Sequence, residues 1–545
     1  MRPGTLTTVL SNWVDPETVF ALIYAESETF FWLDGGVTAI TGMSYLGTGT
    51  LTASAIGPKR LQLSPSGEVL EMTVMDFLRT RLPIEVCRLD REHDSVTGGP
   101  VGNLTGVATA LDTGCPLGWV GWLGYEVGRQ TLGEASRFHG TSGISASSGA
   151  STRHPDAAFI YCDRLIAFDH EKRTVSLIAT VAPAEVESSA VAESLNPAES
   201  PTVAGSLNFS GSLNFSGSPG STEAAWTPEL RLWKDGLIRR LAGAVALPER
   251  AAMSALPTSP TTLREPASLP TTTVHWRNTD QEYLELIARC QDAIVEGEAY
   301  QLCLTNSAQV PGKFDPVQVY AALRAASPTH HGGFLRVGAV SLLSSSPERF
   351  LAVSASGVIE SKPIKGTRPR GNTAEDDRRL HEELLASEKE RAENLMIVDL
   401  MRNDIARVSE VGSVRVPVLL AVESYAQVHQ LVSTVRGQLA AGRHPIDAVE
   451  ACFPAGSMTG APKLRATQIL SALEQAPRGI YAGAFGYFGV DGSIDLAMVI
   501  RSIVLDAHGA TIGSGGGITA SSVPHEELAE VGLKAAVLLS VLGAH

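Results

Sequence analysis

"GIYAGAFGYFGVDGSIDLAMVIRSIVLDAHGATIGSGGGIT", residues 479–519, is the stretch whose reading decides the fold. Aromatic and β-branched runs alternate with turn-forming Gly and Asp, and the segment reads as three strands joined by tight turns. A helical pattern, "GAPKLRATQILSALEQA", precedes it and another follows Pro524. Working outward, "AYQLCLTNSAQV" (299–310) and "YAQVHQLVSTVRGQL" read as strands. "AVSLLSSSPERFLAVSASGVIESKPIKGT" reads as strand, turn, strand. Residues 374–397 predict a strongly charged helix. "TDQEYLELIARCQDAIVEGE" predicts another, opened by Thr279 and Glu282 as a capping box and closed by Gly297. Strands in runs between helices indicate an α+β fold rather than regular βαβ alternation.

The first part of the chain is also β-rich. "ETFFWLDGG" (28–36) and "AAFIYCDRLIAFDHEKRTVSLIAT" (157–180) are aromatic and β-branched, the second broken by a turn at 169–172. The glycines of "LGWVGWLGYEVG" (117–128) predict close backbone approach. The composition changes at residue 182. A tract poor in basic residues contains "SLNFSG" twice in tandem, at 206–211 and 212–217, and a Pro/Ser/Thr tract follows at 256–273. "AWTPELRLWKDGLIRRLAGAVA" (225–246) reads as an isolated helix between them. The expected organisation is a β-rich region over 1–181, a largely disordered low-complexity insert over 182–273, and a catalytic region over 274–545.

The 545 residues carry 58 acidic and 43 basic side chains, a net charge of −15. This argues against nucleic acid and anionic membrane as partners, because phosphate binding needs a basic surface. An anionic substrate would need local cations, backbone amides or a metal. The six cysteines form no C-x-x-C pair and read as free thiols in a reducing cytosol. No apolar run reaches the roughly 18 residues of a membrane span. "MRPGTLTTVLSNWVD" lacks a signal-peptide core.

Two helices each carry Glu-x-x-Glu: Glu390 with Glu393, and Glu527 with Glu530. Residues three apart share a helix face. If the helices meet, four carboxylates converge and need a cation, for which Mg²⁺ suits an all-oxygen site. Either pair alone reads equally as a solvated face, with Lys389–Glu393 an i,i+4 pair. "GSGGGIT" (513–519) offers free amides ahead of a helix, or is simply a tight turn; it fits neither a dinucleotide fingerprint nor a Walker A loop. "FPAGSMTGAPKLRA" (453–466), with Gly456, Ser457, Thr459, Gly460 and Lys463, is a second candidate anion cradle. Arg501 falls inside an apolar strand pattern and should meet a carboxylate. Glu348 ends one strand of a hairpin whose other strand leads to Lys365.

Together and in this order, "YQLCLTN", "SPERF", "PIKGTRPRG", "ENLMIVDLMRNDIARV", "VHQLVSTVRG", "GSMTGAPKLRA", "IYAGAFGYFG", "IRSIV" and "GSGGGIT…EELAE" resemble the chorismate-utilising enzymes. The resemblance implies a large antiparallel β core of two packed sheets wrapped by helices. It implies Mg²⁺ as cofactor, with Glu393 and Glu530 as direct ligands and Glu390 and Glu527 acting through water. It implies substrate contacts from Gln301, Thr367, Thr459, Tyr481, Arg501, Gly515, Gly516, Gly517 and Lys534. Water-activating relatives carry lysine where this chain has Gln301. Anthranilate-forming relatives carry alanine where it has Lys365. The resemblance therefore points to the branch that aminates chorismate to 4-amino-4-deoxychorismate on the way to 4-aminobenzoate and folate. Lys365 would be the covalent nucleophile and Glu348 the acid. The anthranilate-forming branch is the alternative. His429 is not assigned a catalytic role, because the histidine of anthranilate-forming relatives aligns with Gln430; a structural role is an equal reading. No G-x-C-x-G nucleophile segment is present, so ammonia is expected from a separate glutamine amidotransferase subunit.

Overall fold

The computed structural model describes residues 4–10, 12–37, 39–82, 114–133, 153–181, 226–245, 273–425 and 428–544. The low-complexity tracts at 182–225 and 246–272 lie outside the described residues. Among the described residues, two antiparallel sheets, each of twelve strands, form the centre. They pack face to face through Phe31, Leu165, Leu335 and Leu342 of the first sheet and Val120, Trp122, Ile160 and Phe485 of the second. Helices cover both outer faces. Phe20, Leu323 and Leu538 lie over the first sheet, and Phe77, Ile397 and Val449 over the second.

Aromatic strands suit this arrangement because both of their faces are buried. In Thr29–Asp34, Phe31 points between the sheets while Phe30 and Trp32 point to the outer helices. The first part of the chain and the last share both sheets. Thr29–Asp34 pairs with His331–Val337 in the first. Gly118–Leu123 pairs with Ala484–Gly489 in the second. The expected close approach is found there: a Cβ on Gly121 would collide with the Ala158 carbonyl.

The segment 479–519 forms four strands rather than three. Ala484–Gly489 and Ile494–Met498 belong to the second sheet, Ser502–Asp506 and Gly509–Ile518 to the first. The chain changes sheets at Arg501, which is not in a strand and takes a φ of 51°. It also changes sheets at Pro347–Glu348, between Val340–Ser346 and Arg349–Val353. The expected single hairpin over 340–367 is therefore split between sheets. The two crossings are tied together: Met498 N–H donates to the Glu348 carbonyl and Ser345 N–H to the Arg501 carbonyl.

The charged helix expected at 374–397 is two helices, Ala374–Ala386 and Glu388–Ala406. Ser387 breaks them, and its hydroxyl accepts from Glu390 N–H to cap the second. The capping box at Thr279 forms as expected and opens Asp280–Val295. Helix Pro228–Val245 is not isolated: Leu237 and Leu241 pack on the first sheet's outer layer, and Trp226 and Leu230 pack on Leu6 and Ala179.

A buried charge network crosses these layers. Arg478 is bidentate on Glu474 at 2.9 and 2.8 Å, and donates to the carbonyls of Met458 and Cys303. It lies over the Tyr125 ring. Glu474 also accepts from the Thr305 amide and hydroxyl. The Glu126 carboxylate accepts from the amides of Arg478 and Gly479. Glu474→Ala would strand a buried guanidinium, and we expect a loss of about 3–5 kcal/mol of stability, read as a shift in the urea denaturation midpoint.

Candidate active site

The crossings at Pro347–Glu348 and Arg501, two of several at which the chain changes sheets, open onto one cleft of about 510 Å³. Glu348 and Arg501 line it, with Lys365, Thr367, Tyr481, Gly515, Gly516, Gly517 and Lys534. So do all four paired glutamates, Glu390, Glu393, Glu527 and Glu530. Two expected residues do not reach its surface. Thr459 is buried and its hydroxyl donates to the Ala455 carbonyl. Gln301 is buried beneath Gly517, and its Oε1 has no hydrogen-bond partner among the described residues.

Lys365 sits on Ile364–Pro369, where pairing with Val428–Gln438 slips between Ile364 and Thr367. The slip releases Lys365 and Gly366 from the ladder, and Gly366 takes a φ of 88°. A Cβ there would press on Leu384 and the Glu390 carboxylate. Glycine thus lets the lysine strand lie close against the glutamate helix.

The run Gly515–Gly517 is not a turn. It lies within Gly509–Ile518, paired residue for residue with residues 302–311 of the strand Gln301–Pro311. Small size is what the position demands. A Cβ on Gly517 would strike the Gln301 amide, one on Gly515 the Leu304 carbonyl, and one on Gly516 would come to 3.1 Å from Glu527 Oε2. The 453–466 segment contributes Ser457 and Met458 to the cleft. Lys463 is turned away and pairs with Asp404 at 2.5 Å.

The carboxylates are balanced by cations from several elements. Lys534 bridges Glu530 at 2.6 Å and the Gly515 carbonyl at 2.9 Å. Arg368 stands 3.5 Å from Glu390. Lys389 lies 3.7 Å from Glu527 on the opposite helix, so the expected i,i+4 pairing with Glu393 is replaced by one between helices. Ser522 donates to Glu527 at 2.7 Å. Arg501 meets no carboxylate among the described residues; its guanidinium donates to the Lys534 carbonyl at 3.2 Å. Among the described residues, no three acidic, histidine or cysteine side chains stand close enough to hold one metal ion. The four glutamates nonetheless offer the cleft only oxygen donors, which is the chemistry a hard divalent cation requires.

Burial pushes the Glu348 carboxyl up to about 7, against the opposing pull of Lys365 and of hydrogen bonds from Ser457 and the Ile364 amide. Burial likewise raises Glu393. Burial alone would also raise Glu530, but Lys534 outweighs it and the carboxyl is held low. A proton donor, a primary amine and a guanidinium therefore face one polar cavity. His429 takes no part: its ring bonds Ser424 and Asp377 at 2.8 and 3.0 Å. Sequence reading missed Arg478, although its i,i+4 spacing from Glu474 in "EQAPR" was available as a signal.

Comparison with known proteins places this geometry. Residues 90–540 match the chorismate binding enzyme family. An aminodeoxychorismate synthase of Streptomyces pristinaespiralis is 41% identical over 439 residues, covering 80% of this chain and 52% of the relative. One of Streptomyces griseus is 37% identical over 545 residues, covering 98% of this chain and 63% of the relative. The chain thus spans between half and two thirds of the length of these relatives. The crystal structure of anthranilate synthase component I from Streptococcus pneumoniae shares the fold, with a TM-score of 0.63 at 22% identity, covering 97% of this chain and 98% of that one. With the two-sheet core, the cleft at its crossings and a family match over most of its length, the chain belongs to the chorismate binding enzymes.

Proposed function

We propose that the protein converts chorismate and ammonia to 4-amino-4-deoxychorismate, a cytoplasmic step towards 4-aminobenzoate and folate. The carrying observation is that Lys365 shares its cleft with Glu348, a carboxyl tuned to about 7 by burial. A donor with that pKa is half protonated near neutral pH. Two further points support the reading: neutral Gln301 stands where a water-activating lysine would be needed, and the two relatives described above carry the name of this activity.

In this reading the neutral Lys365 amine attacks the ring carbon adjacent to the one bearing the carboxylate. The ring double bonds shift, and the allylic hydroxyl leaves as water with the proton from Glu348. Ammonia attacks the carbon that lost the hydroxyl, the double bonds shift back, and Lys365 is expelled. The enolpyruvyl group stays on the product. Arg501 and Tyr481 would hold the enolpyruvyl carboxylate. The small floor of Gly515, Gly516 and Gly517 would let the ring approach the backbone, with Lys534 and Thr367 around it and Gln301 and Thr459 supporting that floor from behind. Glu393 and Glu530 directly, and Glu390 and Glu527 through water, would hold Mg²⁺, whose chemistry when bound would be charge neutralisation of the ring carboxylate. Ammonia would come from a glutamine amidotransferase outside these 545 residues.

Chorismate without ammonia should leave an adduct on Lys365, at the mass of chorismate less water, visible by intact-protein mass spectrometry. Lys365→Ala should show none, and anthranilate as the product of the wild-type protein would overturn the assignment. EDTA should stop turnover and Mg²⁺ restore it. Glu348→Gln should lower kcat by about 10²–10⁴, and the wild-type rate should fall as pH rises through about 7. The same substitution should stabilise the fold at alkaline pH. A carboxyl raised from 4.5 to about 7 on folding binds its proton more tightly in the native state, so ionisation costs stability increasingly as pH rises across that window. The Tm of Glu348→Gln should therefore exceed the parent's at about pH 8 and converge with it below about pH 5.

A further inference from the structure

A second cavity, of about 470 Å³, lies behind the cleft. The two share Tyr481 and Gly513 as lining residues. A Cβ on Gly513 would collide with the Tyr481 ring, so the ring rests against that backbone and forms the partition. The rear cavity differs in charge from the cleft. Among the described residues its lining includes Arg153, Arg277, Arg478, His154 and His275 and no Asp or Glu. In a chain of net charge −15 this is a local reversal of the average field.

Two of the three arginines are spent. Arg478 is bidentate on Glu474, and Arg153 joins His154 on Asp506. Arg277 is different. Its guanidinium donates to the Thr305 carbonyl and to Asn278 Oδ1, both neutral acceptors, and it makes no ion pair among the described residues. Burial pulls its pKa down, and the more distant pull of Glu474, already paired with Arg478, does not offset it. The adjacent lining is apolar and aromatic, with Trp276, Ile480 and Val504, and Thr511 adds a hydroxyl. One unspent guanidinium beside an aromatic, largely apolar wall matches a monoanion with a flat ring.

We propose that this rear cavity is a second binding site, for a small aromatic carboxylate, with Arg277 receiving the carboxylate and the Trp276 side of the wall receiving the ring. The site is separate from the cleft and does not depend on which reaction the cleft performs.

Benzoate, titrated calorimetrically into the full-length protein, is a suitable probe. The expected result is saturable binding that Arg277→Gln weakens at least about tenfold, the loss of one charge-assisted pair. Arg501→Gln, which alters the cleft, should leave it unchanged. Thr511→Phe fills the rear cavity without removing the guanidinium and should also abolish binding, so the test survives if Arg277→Gln does not fold. Absence of saturable binding by the wild-type protein would overturn the proposal. So would binding that is lost in Arg501→Gln and retained in Thr511→Phe, which would locate the probe in the cleft.

Discussion

The rest of the structure depends on one buried ion pair, Arg478 with Glu474. Desolvating a guanidinium and a carboxylate costs several kcal/mol each, and only near-complete hydrogen bonding offsets it. Here the partners that complete the pair come from different parts of the fold. Cys303 and Thr305 belong to the strand Gln301–Pro311, and Met458 to the turn that presents Ser457 to Glu348. Tyr125 and Glu126 come from the first part of the chain. Three residues after Arg478 comes Tyr481, the wall between the two cavities. The pair thus holds the back of the cleft in register with both sheets.

The cleft itself resolves the conflict between an acidic chain and an anionic ligand by local means. Four glutamates from two helices face Lys365, Lys389 and Lys534, while Arg501 stands at the sheet crossing without an acidic partner among the described residues. The glycine strand adds close backbone approach in place of side chains. Negative and positive groups are interleaved, so neither sign of charge dominates the cavity, and a divalent ion and a polyanionic ligand could be accommodated together.

The local signals were legible in the sequence and the crossings were not. The capping box at Thr279, the aromatic strand Thr29–Asp34 and the Glu-x-x-Glu faces are set by neighbours in the chain, and they formed as read, whereas the run 157–180, read as two strands, is three, cut again at Asp163 where the chain changes sheets. The two Glu-x-x-Glu faces, Lys365, Glu348 and Arg501 were named from sequence and do line one cleft. What failed were readings that need long-range partners. Nothing in "MVIRSIV" says that the run is cut at Arg501 between two sheets, because both flanking pieces carry the same β pattern. Lys389 looked like an i,i+4 partner because only its own helix was visible; the competing carboxylate, Glu527, lies far along the chain. Gln301 and Thr459 fell behind the cleft because burial of a polar side chain has no sequence signature.

The sharing of both sheets has a consequence for how the molecule can be divided. Every residue that lines the cleft lies after residue 300, yet each sheet is completed by strands from before residue 182. The seams are ordinary ladders, Thr29–Asp34 on His331–Val337 and Gly118–Leu123 on Ala484–Gly489. A peptide-bond scission between 182 and 225 would sever one covalent link and none of these pairings. The two pieces would then behave as a split protein: each alone exposes raw strand edges, and each is the other's natural template.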